Sequence, residues 1–160
     1  MDKDEFNLTG PDQDRWVRTG KGPFGQTVVA SVPPMYDEVI DRFPAVIGAA
    51  VVFSYGDKVY NPQAIRVPYE ILAHEAVHAD RQEIYGVEKW WDSYLTDDVF
   101  RLEEEFDAHL LEHEMLQEWC RNRAERRQYE AIMSKKLASP IYDFRQPRLA
   151  MRDALRKGSL

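Results

Sequence analysis

The stretch Tyr69-Glu-Ile-Leu-Ala-His74-Glu75-Ala-Val-His78-Ala-Asp-Arg-Gln-Glu-Ile-Tyr85 decides how the rest of the chain is read. It contains H-E-x-x-H at 74–78 and has no Gly or Pro after Pro68, so it reads as one uninterrupted helix. Residues four apart on a helix share a face about one turn on. His74 and His78 can thus offer two imidazole nitrogens to one zinc ion, with Glu75 beside them as a base toward a water at the metal. Leu72, Ala73, Ala76, Val77 and Ala79 give the helix a broad apolar side, which predicts burial between layers. Two solvated histidines on a surface helix are the plain alternative. Burial argues against it, because buried imidazoles need partners.

Working outward, Pro68 suits the first turn of this helix and Gly86 suits its end. Upstream, Ala49–Tyr55 and Lys58–Tyr60 flank Gly56-Asp57 and predict a small hairpin or two edge strands. Gln26–Val32 reads as a strand, stopped by Pro33-Pro34. Met35–Phe43 reads as a helix, stopped by Pro44. Residues 1–25 are polar and turn-rich, an extended arm that Trp16, Val17 and Phe24 could pin to a surface. Downstream, Val87–Thr96 predicts a short helical turn or loop, with Trp90 and Trp91 filling the core. A long helix, capped by Thr96 or Asp97, carries the stripe Val99, Leu102, Phe106 and Leu110. It runs to about Cys120 or resumes through Leu137, and Pro147–Leu155 forms a last short helix. The run R-N-R-A-E-R-R (121–127) reads as a solvated face. The fold class is therefore α+β, mainly helical: a short hairpin or edge sheet packed on the H-E-x-x-H helix and a second Glu-bearing helix. The arm spans 1–25 and the domain 26–160.

Bulk properties narrow the functions. A chain of 160 residues supports one domain with a real core. A net charge of −7 gives no electrostatic support for binding nucleic acid. No apolar run is long enough for a bilayer, and the acidic start M-D-K-D-E-F is not a secretory signal. The single Cys120 excludes an internal disulfide, and after Trp119 it reads as a buried or incidental thiol.

Two histidines do not complete a catalytic site, which takes three protein ligands and one open position. Arg81 and Ile84 exclude the H-E-x-x-H-x-x-G-x-x-H class. The third ligand must come from a second helix, and R-L-E-E-E-F-D-A-H-L-L-E-H (101–113) is the natural source. Glu103, Glu104 and Glu105 lie about 100° apart around a helix, so only one can aim at a given ion. Glu104 points away from the Leu102/Phe106 stripe and is expected in solvent. Glu105 pairs with His109 one turn on, and Glu103 with Asp107, so both remain open. His109 in place of a Glu is a third option. His113 and Glu114 are expected at the surface. Tyr94 or Tyr85 could steady an oxyanion, with core packing the default.

H-E-x-x-H followed by a helix with E-x-x-A, here Glu105-Phe106-Asp107-Ala108, resembles the gluzincin metallopeptidases. In that family the Glu is the third ligand, and the small Ala lets the two helices approach closely. The resemblance implies a zincin-like domain in which His74, His78 and Glu105 bind Zn2+ and Glu75 is the base. The spacing of Glu103 and Asp107, as E-x-x-x-D, also fits gluzincins and keeps Glu103 as a rival. Family members often carry Asp or Asn four residues after the ligand Glu; His109 stands there instead. More narrowly, F-S-Y-G-D-K-V-Y-N-P (53–62), H-E-A-V-H-A-D-R-Q (74–82), residues 90–108 and L-A-S-P-I-Y-D-F (137–144) are similar to small H-E-x-x-H proteins of tailed phages and prophages. The implied function is a zinc metallopeptidase that hydrolyses a peptide bond in a protein or a peptidoglycan peptide. The implied location is the cytoplasm of a bacterial host or a virion. The alternative is a virion structural or assembly protein on a peptidase-like scaffold, with zinc structural or absent and the arm wrapping other virion proteins. A regulatory peptidase acting on a separate repressor chain is a third possibility.

Overall fold

The computed structural model describes residues 15–138 and 148–160. It is an α+β fold, mainly helical. The first elements are strands β1 (Trp16–Val17), β2 (Gly20–Lys21) and β3 (Thr27–Val29), then helix α1 (Tyr36–Arg42) and a 3-10 turn at Pro44–Val46. Strands β4 (Phe53–Tyr55), β5 (Lys58–Tyr60) and β6 (Val67–Pro68) follow. Helices α2 (Tyr69–Tyr85), α3 (Val87–Thr96), α4 (Asp98–Trp119), α5 (Arg123–Leu137) and α6 (Arg148–Lys157) complete the order.

The strands form two small sheets. The larger runs β2-β3-β5-β4, with β3 and β5 parallel and the other pairs antiparallel. Gly56 turns the β4–β5 hairpin at a φ of 62°, a conformation glycine adopts without steric cost. The smaller sheet pairs β1 with β6, Trp16 opposite Pro68 and Val17 opposite Val67. The described part of the expected arm is thus a pair of strands within the fold. Its Arg15 carbonyl accepts the Tyr69 N–H at 3.0 Å, satisfying one of the first donors of α2 that Pro68 has no side-chain group to cap. Residues 1–14 and 139–147, with most of the L-A-S-P-I-Y-D-F stretch, lie outside the described residues.

Helix boundaries follow local chemistry. Gly86, at a φ of 89°, ends α2. Asp97 caps α4 by accepting from the N–H groups of Val99 and Phe100 at 3.0 and 3.1 Å. Asn122 caps α5 through the Glu125 N–H. The stretch 87–96 is a full helix of 10 residues, because Trp90, Trp91 and Tyr94 bury a common face.

Three apolar clusters hold the fold. Val28, Val59, Val67 and Leu72 join the sheets to α2. Val39, Phe43, Phe53, Trp90, Trp91 and Tyr94 join α1, β4 and α3. Phe106, Leu116, Met133, Leu137, Met151 and Leu155 join α4, α5 and α6. Helix α4 therefore has two buried sides. Leu102, Phe106 and Leu110 pack toward α5 and α6, while Arg101, Glu104, Glu105, Ala108, His109 and Glu112 are buried as well. Val99, counted in the apolar stripe by its spacing, is exposed. On α2 the buried face is largely polar: His74, Glu75, His78 and Gln82 lie with Leu72 and Ala73. The run 121–127 is solvated except for the half-buried Glu125. Among the described residues, no helix is long and apolar enough to cross a membrane.

Candidate metal centre

Helix α2 places His74 and His78 one turn apart, 5% and 4% exposed, with their Nε2 atoms 3.1 Å apart. Helix α4 brings Glu105, 3% exposed, against both rings. Its Oε2 lies 3.3 Å from His74 Nε2 and its Oε1 3.2 Å from His78 Nε2. Donor atoms bonded at about 2.0–2.1 Å in a tetrahedron stand about 3.3 Å from one another. The imidazole pair and the contact of each ring with one of the two Glu105 oxygens have about that length, and this buried group could hold a metal ion.

Hydrogen bonding supports the fit. The Tyr94 hydroxyl donates to Glu105 Oε1 at 2.6 Å. Glu105 Oε2, facing His74, is buried with no hydrogen-bond partner. A buried carboxylate oxygen without a partner is costly, and a cation in front of it would remove that cost. The His109 Nδ1–H donates to the Glu105 backbone carbonyl at 2.7 Å, which fixes that ring against the ligand-bearing turn.

His74, His109 and Glu112 form a second group within reach of one ion, sharing His74 with the first. Glu112 Oε1 lies 2.6 Å from His74 Nδ1. Its other oxygen lies 3.7 Å from the Lys136 ammonium, so this carboxylate already faces a positive charge. Glu105 Oε2 and Glu112 Oε1 are both buried without a hydrogen-bond partner, so the choice rests on charge: Glu112 faces Lys136, and the first group is the better cation site. Glu112 is then the partner of the other nitrogen of His74, the arrangement that fixes ring orientation in metal sites.

The electrostatics follow from burial set against charge. For His74, burial alone would lower the pKa, but Glu105 and Glu112 raise it to about 10 in the metal-free chain. Glu105 would be raised by burial, yet His78 and His74 hold it well below the usual carboxylate range. Glu112 is likewise opposed by burial and drawn to about 2 by Lys136, His109 and His74. Burial, then the neighbouring His74, lowers His109 to about 4, which keeps it neutral. Burial raises Glu75, with His74 and His78 acting in the opposite direction.

Glu75 shares a cavity of about 80 Å³ with His74, His78, Tyr94 and Glu105. The Ser54 hydroxyl of β4 donates to the Glu75 backbone carbonyl at 2.8 Å, tying the sheet to the motif turn. The remaining wall is apolar, built by Val39, Phe43, Val46, Val51 and Phe53, with both tryptophans.

Several expectations change. Glu103 is exposed, so it does not reach the rings, and its partner Asp107 is bonded to Arg81 at 2.8 Å. Glu104 is not in solvent: it is 3% exposed, accepts from the Trp90 indole at 2.9 Å and lies 3.3 Å from Arg81. His113 is buried near Glu130 at 3.6 Å, whereas Glu114 is exposed. Tyr85 is 51% exposed and packs on Phe100, away from the rings. Tyr94 does enter the site, but its hydroxyl is on Glu105. Glu112 is the residue that sequence spacing missed. It lies seven residues after Glu105, two turns along the same face, and that offset is the signal that could have found it. Comparison with family models, curated proteins and solved structures finds no match.

Proposed function

We propose that this chain is a zinc-dependent peptidase in which His74, His78 and Glu105 hold the ion and Glu75 is the general base. The observation that carries the reading is the convergence of two imidazoles, 3.1 Å apart at Nε2, on one Glu105 carboxylate whose oxygens lie 3.3 Å from His74 and 3.2 Å from His78, the first of them buried without a hydrogen-bond partner, beside Glu75 in one cavity. Two imidazoles and a carboxylate suit zinc and leave a fourth position open. When bound there, zinc would polarise a carbonyl oxygen and lower the pKa of a water to near 7.

The chain's own residues supply the rest. Glu75 accepts a proton from the attacking water and delivers it to the leaving nitrogen. Burial that raises its pKa brings it closer to working pH, which favours both transfers. Tyr94 and the His109 ring hold Glu105 from two sides, through its carboxylate and its backbone. The apolar wall excludes water from the reacting bond.

The test is metal analysis of the purified full chain together with hydrolysis of a peptide mixture. About one zinc per chain is expected, lost in His74→Ala and kept in Glu75→Gln, with cleavage absent in both. Cleavage by Glu75→Gln at the wild-type rate would remove the mechanism. Stoichiometric zinc with no cleavage by the unaltered chain would favour a scaffold on which the ion is structural.

A further inference from the structure

We infer that the site takes a short substrate gripped by one bulky apolar side chain, and not an extended polypeptide paired along the β4 edge. This rests on the peptidase reading above and narrows its substrate class.

Strand β4 is the edge of the larger sheet nearest the motif helix, the place where an extended peptide would add as a further strand. It has three residues. The two-residue turn Gly56-Asp57 makes Tyr55 and Lys58 the closing, hydrogen-bonded pair of the hairpin. Antiparallel pairs alternate, so Ser54 opposite Val59 is a non-hydrogen-bonded pair, and the Ser54 peptide groups face outward. Ser54 is the central residue of this short edge. Its carbonyl already accepts two donors, Gln82 Nε2 and Trp91 Nε1, each at 3.0 Å. A carbonyl oxygen has two lone pairs, so no acceptor capacity remains for a substrate N–H. Gln82 also accepts the Gly56 N–H through Oε1 at 2.8 Å. One buried amide on α2 and one indole on α3 thus fill the acceptor of the central edge residue, and Ser54 itself is only 2% exposed, so α2 and α3 cover this edge.

What the site does offer is an apolar pocket. Val39, Phe43, Val46, Val51, Phe53 and Trp91 line the cavity that also holds Glu75 and the three ligating groups. At about 80 Å³ it has room for a few waters at roughly 10–15 Å³ each, or one side chain in their place. Recognition then comes from burying that side chain, with few main-chain hydrogen bonds, and residues further along a polypeptide find nothing to pair with.

The experiment uses the zinc-loaded full chain and amino-acid hydroxamates as probes, read by displacement and by tryptophan fluorescence, with matched amides for hydrolysis. Replacing Gly by Leu or Phe in the probe should tighten binding by about tenfold or more. Lengthening a probe by three residues in either direction should change binding by less than about threefold. A Val46→Trp variant, checked for folding by its melting curve, should fill the cavity and remove the Leu preference. Affinity that climbs steadily with length on a Gly anchor would overturn the inference while leaving the peptidase reading intact. Side-chain preference as expected, with no amide cleaved, would support the pocket and remove the peptidase reading. No binding of any hydroxamate to zinc-loaded protein would overturn both.

Discussion

Glu112 Oε1 stands 2.6 Å from Nδ1 of His74, on the opposite side of that imidazole from Glu105, the carboxylate two turns earlier on the same helix. One ring is thereby clamped between two acidic groups from α4. A ligand imidazole whose free nitrogen faces a carboxylate is held in orientation and made more basic.

Replacing Glu112 by Gln should therefore weaken zinc binding by about 10–100-fold without touching the ion directly. Competition with a chelator of known affinity measures this. Glu75→Gln, assayed beside it, should leave affinity close to wild type. Equal affinity in Glu112→Gln and the unaltered chain would mean that the 2.6 Å approach orients nothing.

The same clamp predicts how metal uptake depends on pH. In the metal-free chain the two carboxylates raise His74 to about 10, although burial opposes them. A folded pKa above the unfolded value of about 6.5 adds stability that is fully present below pH 6.5 and lost as pH rises through about 10. Metal must displace that proton, so apparent affinity should rise by up to about tenfold per pH unit between pH 7 and 10. Calorimetry in buffers of different ionisation enthalpy should show about one proton released per ion bound. A flat profile with no proton release would contradict a protonated His74 in the free chain.

The limits of the sequence reading are clearest on α4. Convergence of His74 and His78 is legible, because H-E-x-x-H fixes one face of α2, whereas spacing alone leaves Glu105 and Glu103 both open and only the resemblance through E-x-x-A favours Glu105. The hairpin at Gly56-Asp57, the stop at Gly86 and the cap at Asp97 are legible for equally local reasons. The burial of Glu104 is not. A single-stripe template assigns one buried side to a helix, and α4 has two, since α2 and α3 cover the face opposite α5 and α6. Glu104 is buried because Trp90 and Arg81 on those helices give it donors, and such contacts have no fixed spacing in the chain. The pairing of Trp16–Val17 with Val67–Pro68 is hidden for the same reason: two residues of strand carry no periodicity.

These neighbouring carboxylates should separate experimentally. Glu103→Ala, at an exposed position, should shift stability by no more than about 0.5 kcal/mol and leave metal binding unchanged. Glu104→Ala strands the buried Trp90 N–H and should cost about 1–3 kcal/mol, measured by denaturant unfolding, again with metal retained. Glu105→Ala should lose the ion. Metal loss in Glu103→Ala with none in Glu105→Ala would reverse the assignment.

Tyr94 offers the most selective probe of how the site is held. Its hydroxyl is 2.6 Å from Glu105 Oε1, and its ring stacks on Trp90 at 4.9 Å and meets His78 edge-on at 6.4 Å. Tyr94→Phe keeps the ring contacts and removes only the donor. Hydrogen bonds to charged groups contribute about 1.5–3 kcal/mol, so the metal-free protein should lose stability on that scale. In the metal-loaded protein the carboxylate has the ion as a partner, and the loss should shrink. Melting curves with and without zinc for both proteins give the four values needed. If the phenol instead contacts the reacting carbonyl during turnover, Tyr94→Phe should lower kcat by about 100-fold or more while its affinity for zinc stays within a few-fold of wild type. Positioning through Glu105 predicts the reverse balance, with weaker zinc binding and kcat recovered once zinc is saturating.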